Sequence, residues 1–584
     1  MSAMRPVDDV IIIGIDFGTT FSGVAWAYSR EPDEIELVTS WDSELNRCSD
    51  VGKAPTQLYY GKNGDATQWG YSIPIDKDPL KWFKLLLLDD KDVPSEVANS
   101  AQLLEARRLR KGLNKDPVEI IGCFLRQIWN HSIDSIKRSV GPDLLRRSKF
   151  HVIITVPAIW PHYAQQRMKQ AANMSGILQA RDCGETVLRF ISEPEAAALA
   201  TLRDLSKRST IKAKDTIVVC DAGGGTVDLI SYCIESTEPF VVKECVKGDG
   251  DLCGAVFVDE NFINLIKRKA PPGSWESVTK AEERRFLNDG WEHGIKPQFE
   301  NQRRIWPVDL PDSCIKGSSK GLKRRITVNL SSADILSVFS PIVDKIEALV
   351  SRQVEIIETK YWAPPKYIIL VGGFGRSRYL FNRLEKKFKS TILQSRGDKP
   401  WTAICRGAVV RGLTTYNLSP NLGVKIQSRI ARMSYGTKYH TRFISGLHDL
   451  QDKYWDECHH EYRAKDQMFW YLREGEDISS KHPVQGNWQR HFSGPLGQLT
   501  NLIFCTSTFP PPSRMDGTVR RLCEVTWNHD IDLESLPKWT NKIGKVYHKL
   551  GYNMEMVCED GDVDFTVYHD GNRVGGQSVQ VEFD

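Results

Sequence analysis

Two stretches of the 584-residue sequence each end an apolar, β-branched run on an aspartate that is followed by a glycine-containing turn. They are IIIGIDFGTT, which contains Asp16, and TIVVCDAGGGTVD, which contains Asp221. Backbone N–H groups and hydroxyls of such a turn can bind a phosphate, but a carboxylate beside the phosphate repels it unless a cation lies between them. Mg²⁺ suits this position because it prefers oxygen ligands and bridges phosphates. Both stretches therefore indicate a phosphate site with a metal ion.

The residues of the two turns are small or hydroxylated. They are Gly18, Thr19 and Thr20 in the first turn, and Gly223, Gly224, Gly225 and Thr226 in the second. Either turn alone also suits an ordinary β-turn, but the pair favours an internal duplication that holds one nucleotide from both sides. The pattern GxxxxGK[ST] does not occur, which excludes the P-loop class.

A third stretch, YIILVGGFGRSRYLFNRL, has paired glycines between a buried-type strand and an amphipathic helix. Gly372 and Gly373 would let the backbone approach a planar or phosphate ligand closely, and Arg376 could stack on a base. Alone, such a pair often marks only a strand–helix turn. After two phosphate-type turns it favours a nucleotide as the ligand.

The elements that must position these residues alternate between strands and helical stretches from Val10 to about Leu418. Strands such as VIIIGID, HVIITVP, TIVVCD and KYIILVGG contain apolar runs of five or six residues, which is typical of a sheet covered by helices on both faces. This pattern predicts a two-lobed α/β domain over residues 10–419, with a rim subdomain at about 255–330.

The remaining chain, residues 420–584, is predicted to form a β-rich domain. Near its end, Val563, Phe565 and Val567 alternate with polar residues, the turn HDGN follows, and a second alternating run ends the sequence. This pattern predicts a hairpin with one apolar face.

Composition narrows the possible partners and compartments. The net charge is only +4, which gives no support for a nucleic-acid partner. No apolar run approaches the roughly 20 residues that span a bilayer, so no membrane association is expected. The 13 cysteines are scattered without a CxxC pair, which favours reduced thiols and a cytoplasmic protein, although a nuclear location fits equally well.

With these motifs in view, the chain resembles the 70-kDa heat-shock (DnaK-like) family within the actin-like ATPase superfamily. GIDFGTTFSGVA and VCDAGGGTVDL are similar to the two phosphate motifs, and ILVGGFGRSRYL to the adenosine motif. RFISEPEAAALATL and TAICRGAVVRGL resemble the two connecting motifs. The resemblance implies an α/β fold: a two-lobed, duplicated actin-like (ribonuclease H-like) ATPase domain, followed by a β-rich C-terminal domain.

The resemblance also implies roles for individual residues. Asp16, Glu193 and Asp221 would hold Mg²⁺, through water, or position the attacking water. The β- and γ-phosphates of ATP, or the β-phosphate of ADP, would contact Gly18, Thr19, Thr20, Phe21, Gly223, Gly224, Gly225 and Thr226, and Thr226 would also take part in catalysis. The catalytic lysine would be Lys84, with Lys81 as the competing choice, and Pro157 would couple the lobes.

The chain departs from the family at several positions. Phe374 and Gly375 precede Arg376 where the family has a short Ser/Thr-Arg stretch, and Trp401 stands where the family usually has an acid near the ribose. Glu292 and Lys296 match the adenosine-side helix only loosely. The acidic-leucine interdomain linker is replaced by TTYNLSPNLGVKIQSR. No counterpart of the family's helical lid or acidic tail is seen in the sequence. In this combination of features the chain resembles a divergent, lidless branch of the family.

These observations predict an ATP-binding, weakly ATP-hydrolysing, chaperone-like protein whose partners would be unfolded or client polypeptides and co-chaperones. A nucleotide-gated binding module with little turnover is the alternative. A small-molecule kinase of the same superfamily is a third hypothesis, but no sequence marker for an acceptor pocket supports it.

The sequence contains one other group of possible metal ligands, DECHHEYRAKDQMFWY, with Cys458, His459 and His460 close to acidic residues. A zinc site needs four suitably spaced ligands, and no partner cluster stands out in the sequence. Spacing alone therefore favours a surface loop at this position.

Overall fold

The computed structural model describes residues 9–43, 51–61, 66–93, 95–158, 160–206, 210–314, 326–395, 397–415, 424–478, 483–527, 529–559 and 562–580. The chain forms two compact units, Met1–Lys425 and Ile426–Asp584. Most of the atypical linker that the sequence predicts, residues 416–423, lies outside the described residues.

The first lobe of unit 1 is built on a mixed sheet. Its main strands have the spatial order β3-β2-β1-β8-β9, and β4 pairs with β2. A separate small sheet has the order β6-β5-β7. The strands are β1 (Val10–Asp16), β2 (Phe21–Tyr28), β3 (Glu36–Leu37), β4 (Ala54–Pro55), β5 (Gln57–Tyr60), β6 (Ala66–Trp69), β7 (Leu80–Lys81), β8 (Lys149–Val156) and β9 (Val187–Ser192).

Helices cover this sheet, as the continuously apolar strands β1 and β8 require. The helices of the first lobe are α1 (Ser95–Ala98), α2 (Ala101–Leu113), α3 (Pro117–Val140), α4 (Pro142–Arg147), α5 (His162–Ser175) and α6 (Glu193–Ser206). The 3₁₀ helix Phe83–Leu87 also belongs to this lobe. Asp116 caps α3 by accepting from the N–H of Val118 at 2.8 Å, and Pro117 occupies its first position.

The second lobe repeats this arrangement. Its strands within unit 1 have the order β12-β11-β10-β15-β16, and β13 pairs with β14 in a separate two-stranded sheet. They are β10 (Thr216–Ala222), β11 (Val227–Thr237), β12 (Phe240–Asp251), β13 (Ile305–Asp309), β14 (Thr327–Ser331), β15 (Tyr367–Val371) and β16 (Thr391–Gln394). The helices are α7 (Ala255–Lys269), α8 (Lys280–Phe286), α9 (Lys296–Gln298), α10 (Ser332–Tyr361) and α11 (Arg378–Lys387), with a π-helix at Leu287–Ile295.

The two sheets share one topology. In each lobe an antiparallel hairpin is followed by a strand that pairs in parallel with the first hairpin strand: β1 with β2 and β8 in the first lobe, and β10 with β11 and β15 in the second. If the five main strands of each sheet are counted in chain order, both sheets have the spatial order third, second, first, fourth and fifth strand. This repetition confirms the two-lobed, duplicated α/β fold that the sequence predicts.

A last helix, α12 (Ala403–Thr415), packs on α6 and on strands of the first lobe. Glycine is required where these helices cross, because a side chain at Gly407 would collide with the backbone of Ala196. The helix of the second connecting motif, α12, thus lies against the helix of the first connecting motif, α6. Helix α12 packs on β1, β2 and β8 of the first lobe, whereas α6 packs on β8 and β9 of the first lobe and also on β10 and β11 of the second.

Unit 2 is a sandwich of two five-stranded antiparallel sheets, and its described residues contain no α-helix. One sheet has the order β19-β20-β18-β23-β24; the other has β22-β26-β27-β28, with β25 paired to β26. Two further strands, β17 and β21, pair with each other outside these two sheets. The strands are β17 (Lys425–Ile430), β18 (Ser434–Arg442), β19 (Lys453–Asp456), β20 (Glu461–Leu472), β21 (Asp477–Ile478), β22 (Val484–Phe492), β23 (Thr500–Thr506), β24 (Arg520–Thr526), β25 (Lys538–Thr540), β26 (Val546–Glu559), β27 (Asp562–His569) and β28 (Asn572–Gln580).

The predicted C-terminal hairpin is confirmed as β27 and β28, joined at Asp570 and Gly571. Val563, Phe565 and Val567 are fully buried in the core between the sheets. Across the described part of the whole chain, no helix is both long and apolar enough to cross a membrane. Of the cysteines whose side chains are described, none forms a disulfide.

Candidate phosphate and metal site

The first turn is held by a neighbouring threonine. The Thr56 hydroxyl donates to the carbonyl oxygen of Gly18 at 2.8 Å, and its N–H donates to the carbonyl oxygen of Thr20 at the same distance. Gly18 itself is crowded, because a side chain there would collide with the carbonyl oxygen of Phe21. The turn between β1 and β2 is therefore fixed from the outside, with Asp16 at its base.

The second turn is fixed by helix α7. The carbonyl oxygens of Gly223, Gly224 and Gly225 accept hydrogen bonds of 3.0–3.1 Å from the first N–H groups at this helix. In a trans peptide the N–H points opposite to the carbonyl, so the following N–H groups point away from α7. Successive N–H groups that face one side form an anion-binding concavity. The second turn has this geometry.

The two turns meet across the cleft between the lobes. A side chain at Gly224 would collide with the Thr20 hydroxyl, and a Cβ on Gly225 would lie 3.5 Å from the Cβ of Thr19. The sequence predicts that both turns bind one ligand, and the structure brings them together as this requires.

Four carboxylates are buried around these turns: Asp16, Glu193, Asp221 and Asp228. Two of them are paired with lysines. Lys53 Nζ donates to Asp16, and Lys84 Nζ donates to Glu193. Burial, opposed by the charge of Lys84 and aided by that of Asp16, raises the pKa of Glu193.

Each of the other two carboxylates has one oxygen that accepts no hydrogen bond from the described residues. Among the described residues, Asp221 Oδ1 and Asp228 Oδ2 are buried without a hydrogen-bond partner. Burial, with the charge of Glu193, raises the pKa of Asp221 well above its usual value and that of Asp228 to about 7. Unpartnered buried oxygens on repelling carboxylates are the donor set that Mg²⁺ prefers, so the residues present fit this ion.

The structure separates the two candidate lysines. Lys84 is carried by the 3₁₀ helix Phe83–Leu87 and is 1% exposed, with Nζ 5.6 Å from the ring centre of Phe17 and 5.4 Å from that of Trp160. Lys81 lies on β7 with an exposed side chain. Lys84 therefore reaches the carboxylate cluster. Lys81 keeps an exposed side chain, although desolvation and the charge of Arg284 lower its pKa to about 8.

Sequence reasoning missed two members of this cluster, Lys53 and Asp228. Burial acts against the charge of Lys53, but the carboxylates of Asp16 and Asp221 outweigh it and raise the lysine pKa. The Thr226 hydroxyl, from the second turn, hydrogen-bonds to Asp228. Asp228 could have been found from the hairpin, since it pairs with Asp221 across β10 and β11.

The third glycine stretch also lies at the cluster. Gly372 has a φ of +83°, which favours glycine, and any side chain on it would collide with the Asp221 carboxylate. A Cβ on Gly373 would lie 3.5 Å from the Trp401 indole, whose centre is 5.4 Å from that of Phe21. The Arg376 guanidinium is 5.9 Å from the Trp401 ring centre. Trp401 thus lies between the first turn and the paired glycines.

Glu292 and Lys296 are engaged elsewhere. Lys296 Nζ lies 2.6 Å from Asp259 Oδ1 and also donates to Glu292, while Trp291 Nε1 donates to the same Asp259 oxygen at 2.7 Å. Burial acts to lower the pKa of Lys296, but the carboxylates of Asp259 and Glu292 outweigh it, so the pKa is raised. Among the described residues, this group forms no hydrogen bond or ion pair with Gly372, Gly373 or Arg376. Their predicted adenosine role stays a prediction.

Stability of the metal-free protein should depend on the Asp228 pKa. A pKa of about 7, against 3.8 for the unperturbed group, means that the folded state holds a proton that the unfolded state releases. With chelator present, the contribution of Asp228 to the free energy of unfolding should fall as pH rises from about 4 to 7, at no more than about 1.4 kcal/mol per pH unit.

Denaturant titrations across this pH range would measure that slope. Asp228→Asn removes one ionisable group and should make the slope shallower, whereas the exposed Asp42→Asn should leave the slope unchanged. An identical slope in wild type and Asp228→Asn would contradict the raised pKa.

The repeated sheet topology, with its two facing acid-tipped hairpins, defines the actin-like ATPase class of fold. Comparison with known families adds the next level: the model described as Hsp70 protein matches residues 91–416, more than half of the chain. The chain belongs to the Hsp70 family.

Individual relatives are distant. The chain is similar to Heat shock 70 kDa protein 12B of Homo sapiens, at 25% identity over 75% of this chain and 72% of that protein. It is 24% identical to Heat shock 70 kDa protein 12A of Mus musculus, over 75% of this chain and 73% of the relative. Similarity to the Chaperone protein HscA homolog of Acinetobacter baumannii (strain AYE), at 30% identity, covers 38% of this chain and 32% of that protein. These identities make the chain a divergent member of the family.

Proposed function

We propose that unit 1 binds Mg·ATP between its lobes and hydrolyses it slowly, and that unit 2 binds extended segments of client polypeptides. The observation that carries this proposal is the meeting of the two glycine turns above a buried carboxylate cluster with unmet oxygens. Phosphate-binding N–H groups and a cation site then serve the same ligand.

The residues would divide the work as follows. Asp16, Glu193 and Asp221 would hold Mg²⁺, which supplies charge neutralisation for the phosphates when bound. The N–H groups of the two turns orient the phosphates, and Lys84 stabilises charge that develops on the terminal phosphate. Glu193, with its raised pKa, can accept a proton from a water that is positioned for attack.

Calorimetric titration of the full chain with ATP, ADP and GTP, each with and without Mg²⁺, tests the proposal. We expect binding of ATP and ADP that tightens when Mg²⁺ is added. Gly224→Ala should abolish it because the added carbon collides with Thr20, and Gly494→Ala is the matched control since no atom lies within 4 Å of the added carbon. No binding by wild type, or equal binding by Gly224→Ala, would refute the proposal.

Trp401 is proposed to support the base or ribose of the bound nucleotide, since it lies between Phe21 and Gly373 with Arg376 beside its ring. Base–aromatic stacking contributes about 1–3 kcal/mol, so Trp401→Ala should weaken ADP binding by about 5- to 150-fold. Trp362→Ala is the control because that indole is 91% exposed. Tighter binding by Trp401→Ala would mean that the indole blocks the site.

A second candidate function is a nucleotide-gated binding module with little turnover. It is favoured by two ion pairs, Lys84–Glu193 and Lys53–Asp16. These pairs occupy the side chains of Glu193 and Asp16, which hydrolysis needs to be available for water and Mg²⁺. Single-turnover measurement of ATP cleavage by the purified chain separates the two functions. A cleavage rate no faster than that of Lys84→Met would favour the binding module.

Two broader expectations belong to this proposal. Client polypeptides and co-chaperones are inferred as partners from family kinship and from relatives named as chaperones. A cytoplasmic location is inferred from the 13 cysteines, which are scattered along the sequence without a CxxC pair. Peptide-array binding by the purified chain, with and without ATP, would test the first expectation.

A further inference from the structure

The turn between β19 and β20 in unit 2 brings together three side chains that could bind a metal ion. One ligand atom from each of Asp456, Cys458 and His459 lies within 4.8 Å of the other two. The three side chains are partly buried. They offer an oxygen, a sulfur and a nitrogen, the mixture that zinc-type ions accept.

The backbone of this turn is already fixed. Asp456 pairs with Glu461 across the hairpin, and Asp456 Oδ1 accepts from the N–H of His459 at 2.7 Å and lies 3.0 Å from its Nδ1. The carbonyl oxygen of Cys458 accepts from Asn541 Nδ2 at 3.0 Å. An Asp-based turn needs only the backbone hydrogen bond, so the thiol and the imidazole beside it are not explained by turn formation.

A fourth possible ligand comes from the opposite sheet. The ring of His491, on β22, lies 4.9 Å from that of His459 at 89°, and Trp539 packs against both rings at 4.5 and 5.2 Å. The sequence does not reveal His491 as a further ligand because this residue is distant along the chain. The fold brings its ring next to that of His459.

We propose that Asp456, Cys458 and His459 bind one divalent transition-metal ion of the zinc type, with the fourth position directed toward His491. A tetrahedral site of this kind has ligand atoms about 3.3–3.8 Å apart, so small side-chain rotations suffice. Because β20 and β22 belong to different sheets, the bound ion would also link the two sheets of the sandwich.

Cobalt titration of the full chain tests this site, since Co²⁺ replaces zinc and gives a charge-transfer band only when a thiolate binds it. The nucleotide site has carboxylate ligands and would give no such band, so failure there and failure here are distinguishable. We expect one equivalent of Co²⁺ with a thiolate band in wild type, and displacement by Zn²⁺.

Cys458→Ser should remove the band and weaken binding by more than about 100-fold, and His459→Gln should weaken it comparably. Cys523→Ser, another partly buried thiol of unit 2, should leave both unchanged. His491→Gln should weaken binding by about tenfold. Absence of the band in wild type, its persistence in Cys458→Ser, or unchanged affinity in both Cys458→Ser and His459→Gln would overturn the proposal. Unchanged affinity in His491→Gln would overturn the fourth position.

Discussion

Lys84→Met is expected to lower single-turnover ATP cleavage by about 100- to 1,000-fold, the effect typical of removing one preorganised charge-stabilising group. Lys84 is the buried cation on Glu193, enclosed by the rings of Phe17 and Trp160. Methionine keeps most of the side-chain volume, so the core around the 3₁₀ helix should stay filled. Glu193 is left without its partner, but its raised pKa lets it take up a proton instead of a buried charge.

The matched control is Lys81→Met, three residues earlier and exposed on β7. Rapid mixing with radiolabelled ATP measures cleavage, and circular dichroism checks the fold of both variants. We expect Lys81→Met to cleave ATP at the wild-type rate. Equal losses in both variants, or none in either, would show that Lys84 has no special part in cleavage.

Asp221→Asn is expected to have two opposite effects. It should abolish the Mg²⁺-dependent gain in ATP affinity, because an amide replaces a metal-binding carboxylate. It should also raise the thermal midpoint of the metal-free protein by a few degrees at neutral pH. Burial raises the pKa of Asp221 well above that of an unfolded aspartate, so above pH 4 the wild-type group costs stability that asparagine does not.

Calorimetric titration with and without Mg²⁺ measures the first effect, and thermal unfolding in chelator measures the second. Asp215→Asn is a suitable control, since that aspartate precedes β10 and forms an ion pair with Lys366 away from the turns. A destabilised Asp221→Asn protein that still gains affinity from Mg²⁺ would contradict both the raised pKa of Asp221 and its part in binding Mg²⁺.

The hairpins of the site could be predicted from the sequence because their signals are local. An apolar run that ends in Asp and Gly marks the strand end and the turn in one short stretch, at Asp16 and again at Asp221. The duplicated topology followed from two such stretches in one α/β region. The alternating C-terminal hairpin was equally local.

Lys53 could not be predicted in this way because its position depends on non-local pairing. In VGKAPTQLYY it looks like an ordinary loop lysine, but β4 pairs with β2, with Ala54 opposite Ser22, and this brings Lys53 beside Asp16. The neighbours of Trp401 are equally non-local. The sequence shows that the residue is unusual, and only the fold shows that it lies between Phe21 and Gly373.

The same limit applies to Glu292 and Lys296. The loose match of WEHGIK suggested contacts with adenosine, whereas the structure gives Lys296 two carboxylate partners, Asp259 from α7 and Glu292 from the π-helix. A π-helix at Leu287–Ile295 changes which side chains share a face, and a pattern with a period of 3.6 residues does not anticipate it.

The central claim is that one nucleotide and its cation lie between the two acid-tipped hairpins of unit 1. A crystal structure of the full chain grown in excess Mg·ATP tests it most directly. The account predicts phosphates in contact with Thr19, Thr20 and the Gly223–Gly225 turn, and Mg²⁺ beside Asp16 and Asp221. A nucleotide bound elsewhere, or none bound at saturating concentration, would contradict it.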